Sequence, residues 1–202
     1  MRSATVWGMK RAVAWIAGVG ILTLVLVIGL SQAGSEQPDA PPAKPYDLQS
    51  ALKELEGAPP ELASLHAQAN QLLEGGTKAF NARMETLKGR PIVINKWASW
   101  CHPCLAEFPL FQQVATERGK EVAFVGINGS DSTDPAKKFL TERPVPYPSY
   151  VDPDEEIAQS IKAAKNYPIT VFVNPKGEVT IKQGTYRDKA ALEADIDRYA
   201  AT

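Results

Sequence analysis

The hydrophobic positions of this 202-residue chain fall into distinct regimes. From Ala12 to Leu30 no charge interrupts an apolar run. At the helical rise it spans roughly 28 Å, enough for the hydrocarbon core of a bilayer. Arg2, Lys10 and Arg11 precede it, which holds that end in the cytoplasm and sends everything after Leu30 across the membrane. The length favours an uncleaved anchor. Ser31-Gln32-Ala33 also has the small-x-small pattern of a cleavage site, so residues 1–33 read as a membrane anchor or a signal peptide. Both readings export the remainder.

Residues 34–45, with "SEQPDAPPAKP", form a proline-rich linker of extended, semi-rigid character. Over residues 46–75 the period becomes helical. Leu48, Leu52 and Leu55, a break at Pro59-Pro60, then Leu62, Leu65, Leu72 and Leu73 predict two short amphipathic helices. This helical spacer pads the domain, lengthens the stalk or offers a docking surface, and His66 on it is expected at the surface.

Residues 76–202 alternate between helical and strand patterns. Ala79, Phe80, Met84 and Leu87 predict a helix ending at Gly89, and "PIVI" from Pro91 is a buried-type strand. Cys101 to Val114 has helical spacing with Pro109 inside it, and Val122 to Ile127 is a second strand. A helix begins near Asp134-Pro135, another covers Glu155 to Ala164, Ile169 to Val173 and Val179 to Lys182 form a hairpin around "NPKG", and Asp188 to Tyr199 closes the chain. This order predicts an α/β fold with a central mixed sheet flanked by helices.

Charge changes the picture only by exclusion: 22 basic against 23 acidic residues leave no field for nucleic acid. No internal repeat is visible. About 120 to 150 residues remain beyond the N-terminal region, enough for one core.

The chemistry concentrates in "KWASWCHPCLAEFP", residues 96–109, which holds both cysteines. Cys101 and Cys104 stand at i and i+3 where a strand hands over to a helix, so their Cα atoms can approach the roughly 5.5 Å that a disulfide needs. As a staple the bridge is poor, because so short a loop removes little entropy from the unfolded chain. Zinc takes four ligands, and beyond the thiols there are only His66 and His102. The redox reading has a positive cause. Free N–H groups and the helix dipole at a helix start stabilise a thiolate on Cys101, the nucleophile, and Cys104 one turn deeper is the resolving thiol. Pro103 loses no helix hydrogen bond in the first turn. His102 adds positive charge when protonated, or is a solvent-facing spacer.

"WASWCHPC" with "AEFP", and "NYPITVFVNPKG" downstream, resemble the thioredoxin superfamily, most closely its TlpA/ResA group of membrane-tethered thiol-disulfide oxidoreductases. The resemblance covers residues 78–200. It implies a thioredoxin fold, a cis Pro168 preceded by Tyr167 beside the sulfurs, and a Glu107-x-Pro109 element in which the proline kinks the helix. It further implies supporting roles for Trp97, Trp100, His102, Pro103 and Glu107, a redox-active Cys101–Cys104 pair with no cofactor and no metal, protein thiol or disulfide substrates and a membrane redox partner. The group's reductive members serve apocytochrome c maturation, so a reductive extracytoplasmic enzyme is expected, with a disulfide-forming oxidase as the alternative.

The sequence also departs from the pattern. Asn95 replaces the buried acid that thioredoxin itself uses in proton transfer, and asparagine cannot be a base. Lys96 stands where an aromatic is usual. A buried ammonium must snorkel, pair with a carboxylate such as Glu107, or lose its proton, and both residues are candidates for tuning the cysteines. A helix replaces the group's opening β-hairpin. A copper chaperone would want another residue between the cysteines and a downstream histidine, which is absent, and a tethering module built on residues 46–75 would tolerate loss of either cysteine.

Overall fold

The computed structural model describes residues 45–201. The expected anchor or signal peptide and all of the linker except Pro45 lie outside the described residues. In chain order the elements are α1 (Leu48–Glu54), α2 (Pro60–His66), β1 (Leu72–Leu73), α3 (Gly76–Thr86), β2 (Ile92–Trp97), α4 (His102–Arg118) and β3 (Ala123–Gly129). They continue with α5 (Thr133–Glu142), β4 (Ser149–Asp152), α6 (Glu156–Ser160), β5 (Ile169–Val173), β6 (Val179–Gln183) and α7 (Lys189–Tyr199). Among the described residues no helix is long and apolar enough to cross a membrane.

The six strands form one mixed sheet in the order β1-β4-β3-β2-β5-β6. β1, β4, β3 and β2 run parallel, β5 lies antiparallel to β2, and β6 antiparallel to β5. β2 is buried at every position, and its period of two divides the core. Val93 and Trp97 join Phe108, Phe111, Phe139, Phe172 and Ile196 on the face covered by α4, α5 and α7. Ile92 and Ile94 join Leu62, Leu65, Phe80, Val125, Ile157 and Val171 on the face covered by α2, α3 and α6. This is a thioredoxin-fold α/β arrangement with a mixed central sheet.

Helix ends follow local chemistry. Asp47 caps α1 by accepting from the N–H groups of Gln49 and Ser50, and Asp188 caps α7 through Ala191. Pro60 occupies the first turn of α2, where its missing N–H is harmless.

Several elements differ from the sequence reading. Residues 46 onward form one compact unit. The two helices expected as a spacer therefore belong to the domain, with Leu62 and Leu65 fully buried. His66 is half-buried rather than a surface residue, packed near Gly119, and burial pushes its pKa down. Leu72 and Leu73 are not helical: they pair in parallel with Ser149 and Tyr150, and a two-residue edge strand has no period to read. β4 escaped notice because "PVPYP" precedes it and its partner β3 is distant in sequence. The helix expected over Glu155 to Ala164 stops at Ser160, and Lys162 and Lys165 have left-handed φ of 61° and 78°.

Candidate active site

β2 delivers the chain to the N-terminus of α4, and Cys101 is the residue that caps it. Its extended backbone, φ −83° and ψ 96°, turns the sulfur over the first helical turn, where Sγ accepts the backbone N–H of Cys104 at 3.2 Å. The two cysteines form a disulfide with Cα atoms 5.3 Å apart. Cys101 is nearly buried and Cys104 wholly so, whereas His102 and Pro103 between them are exposed. Among the described residues no group of three His, Cys, Asp or Glu side chains could hold a metal ion.

The turn before Cys101 is held by a residue that motif reading passed over. Asp131, in the polar loop after β3, accepts from the Ser99 N–H at 2.6 Å, the Ser99 hydroxyl at 2.8 Å, Asn128 Nδ2 at 2.8 Å and the Ser132 N–H at 2.8 Å. The signal available in sequence was an aspartate in a Ser/Asn-rich loop, the composition that closes on its own backbone. Trp100 is half exposed, and its indole N–H donates to the Ser130 carbonyl at 2.8 Å. Trp97 lies fully in the core: it donates to Ser149 Oγ at 3.0 Å, stacks on Phe139 at 4.8 Å and meets Phe108 edge-on at 5.3 Å.

The Tyr167–Pro168 peptide bond is cis, and Pro168 is buried where β5 begins. Tyr167 packs against the core cluster that contains both cysteines, and its ring meets Trp100 at 4.8 Å. The fold thus brings Tyr167 against the residue that precedes Cys101.

Glu107 sits one turn beyond Cys104 and is fully buried. Its Oε1 accepts from Asn95 Nδ2 at 3.0 Å and its Oε2 from the Tyr186 N–H at 3.3 Å. Burial pushes its pKa up to about 7, against the lowering effect of those two hydrogen bonds. Asn95 cannot accept a proton at neutral pH, yet its amide suits both states of its neighbour. The nitrogen donates to the carboxylate; turned over, the oxygen, which has no partner, accepts from the carboxylic acid.

Lys96 does not pair with Glu107. Odd-numbered residues of β2 face α4, so Asn95 reaches Glu107 while Lys96 points through the opposite face of the sheet. There the ammonium, with no exposed surface, forms an ion pair with Glu155 Oε1 at 2.7 Å and lies 3.9 Å from the centre of the Tyr167 ring. Burial alone would raise the Glu155 pKa, but hydrogen bonds from Lys96, Tyr167 and the Lys165 N–H outweigh it and bring it to about 2. The expected partner Glu107 is on the other face of the strand, and nothing local in the sequence named Glu155.

A thioredoxin-fold protein with a disulfide at the head of the helix after β2, and a cis-proline opening β5, is the class that fold and site define. Residues 65–182 match the AhpC/TSA family, and the chain belongs to it. It is 30% identical over 100 residues to the thiol-disulfide oxidoreductase ResA of Oceanobacillus iheyensis, an alignment covering 48% of this chain and 50% of that protein. To the thiol:disulfide interchange protein DsbE of Pseudomonas aeruginosa it is 32% identical over 142 residues, covering 69% and 65%. The chain therefore spans about half to two thirds of the length of these curated relatives. Among solved structures, MTB DsbF superimposes with a TM-score of 0.53 at 30% identity, covering 56% of this chain and 84% of the other.

Proposed function

We propose that this chain is an extracytoplasmic thiol-disulfide oxidoreductase acting on protein disulfides, tethered by residues 1–33 and working in the reductive direction, as in apocytochrome c maturation. The observation that carries the reading is Cys101 at the cap of α4 with Cys104 one turn behind it. The names of its relatives, thiol-disulfide oxidoreductase and thiol:disulfide interchange protein, support the same chemistry.

In the reduced enzyme, the Cys101 thiolate attacks one sulfur of a substrate disulfide, and the other substrate sulfur leaves as a thiolate. Cys104, deprotonated, then attacks Cys101 Sγ in the mixed disulfide. The Cys101–Cys104 bond forms, the second substrate thiolate departs, and two electrons have passed to the substrate. The pair itself carries the electrons, so the cycle closes when a membrane partner reduces it.

Trapping tests the reading. Cys104→Ser should accumulate a mixed disulfide with substrate through Cys101, and Cys101→Ser should accumulate little; equal trapping by the two variants would sink the assignment. The reduction potential of the pair then decides direction, because a strongly oxidising value would favour disulfide formation instead.

A further inference from the structure

Behind the exposed Trp100 and the half-buried Tyr167 lies a buried ion pair that the exchange chemistry does not use. Lys96 and Glu155 come from β2 and the loop before α6, and between them they grip three consecutive residues. Glu155 Oε2 accepts the Lys165 N–H at 2.9 Å, Lys96 Nζ donates to the Asn166 carbonyl at 3.3 Å, and Glu155 Oε1 accepts the Tyr167 hydroxyl. The Lys96 ammonium also supports the Tyr167 ring from below. Gly129 completes the enclosure: a Cβ there would stand 2.5 Å from the Tyr167 hydroxyl and 3.2 Å from Lys96 Cε.

The gripped segment needs holding. Residues 165–167 belong to no helix or strand. Glu155 itself has a left-handed φ of 57°, and Lys165 one of 78°. Such a conformation is unfavourable in a residue with a side chain and persists where surrounding contacts enforce it. Outside the ion pair, Asn166 Nδ2 donates to Gln183 Oε1 at 3.0 Å. The Pro168 carbonyl is taken by the Gly184 N–H, but among the described residues no backbone hydrogen bond engages the N–H or C=O of Tyr167. Those groups remain available to an extended chain laid beside Pro168.

We propose that Lys96 and Glu155 are positioning residues that fix Tyr167 and its backbone as the docking rail for an extended protein segment carrying the substrate disulfide. The proposal rests on the oxidoreductase reading. Its effect falls on docking rather than on the sulfur chemistry. Opposite charges 2.7 Å apart largely cancel at a distance, so the pair contributes little net field at the cysteines. A small disulfide, which needs no rail, should be indifferent to it.

The test compares insulin and oxidised glutathione as substrates for the reduced full-length chain in detergent, alongside the reduction potential of each variant. Glu155→Gln and Lys96→Met should lower the second-order rate constant with insulin about tenfold while that with glutathione changes less than about twofold, and the variant carrying both changes, which removes the two charges together, should keep the wild-type potential. The loss should appear in KM more than in kcat. Lys96→Met combined with Glu155→Gln removes both charges together and should cost no more than either single change, because the pair acts as a unit. Tyr167→Phe keeps the ring and the fold, and should shift the insulin-to-glutathione ratio in the same direction by a smaller factor. Parallel losses with both substrates would overturn the proposal, as would a potential that moves in the variant carrying both Lys96→Met and Glu155→Gln. A wild-type chain inert toward both substrates would instead bring down the oxidoreductase reading, and the rail with it.

Discussion

Asn95 and Glu107 face each other between β2 and α4, amide nitrogen to carboxylate oxygen at 3.0 Å, both within the core. The carboxyl prefers to be neutral there, with a pKa of about 7 against an ordinary 4.5. Its contribution to stability is thus present in full below pH 4.5 and is lost as the pH rises through 7. The loss amounts to about 3 kcal/mol at most. Urea unfolding of the oxidised protein across this range should show that decline, and Glu107→Gln should remove it. Glu155, whose pKa is depressed, acts in a separate window: its stabilisation is present above pH 4.5 and is lost as the pH falls toward 2. A wild-type slope that survives in Glu107→Gln would mean that another group titrates there.

The helices over residues 46–75 are structural parts of the domain. Leu62 is wholly buried in the cluster that also holds Phe80, Ile94 and Val125. Leu62→Ala should therefore cost about 2–5 kcal/mol, the range for deleting a buried leucine side chain. Removing residues 46–75 should unfold the remainder rather than release a free-standing domain. Retention of a cooperative transition at the wild-type denaturant midpoint would show that the segment is only a spacer.

What could be read from sequence was what is local. Helix α4, the β5–β6 hairpin and the two cysteines are each written within a dozen or so residues by period, turn residues and spacing. Lys96 marks where that ends. Its burial and its need for a carboxylate followed from its place in an apolar strand, but the carboxylate expected for it, Glu107, lies on the other face of β2. Glu155 became its partner only because the loop before α6 folds against the face of the sheet that Lys96 points through. β1 and β4 were missed for a related reason, since their strand character comes from pairing with distant residues and not from their own pattern.

Asp131 gives a loop-level test. Four donors converge on its carboxylate, two of them from Ser99. Asp131→Asn presents an amide N–H₂ group to donors and should destabilise the protein by about 1–3 kcal/mol, much as Asp131→Ala does. Hydrogen exchange at the Ser99 amide, read by NMR, should accelerate in both variants. Unchanged protection would show that the turn before Cys101 is held by packing alone.

Cys101 should be the more acidic thiol of the reduced pair. It occupies the cap position of a 17-residue helix, where the first-turn N–H groups are free of helical partners and the Cys104 N–H already points at its sulfur. Its near-complete burial works the other way, because an apolar surrounding disfavours a thiolate. Thiols at helix N-termini nonetheless titrate well below the free value, which shows that directed N–H groups outweigh partial desolvation there. Cys104, wholly buried and one turn inside the helix, has the desolvation without the cap. Iodoacetamide should therefore modify Cys101 first, with a midpoint in its pH–rate profile below about 8.5. Cys104→Ser should reproduce that midpoint, whereas Cys101→Ser should react slowly and only at higher pH. A Cys101 midpoint at or above the free-thiol value would remove the physical reason for naming it the nucleophile, even if the disulfide itself exchanges.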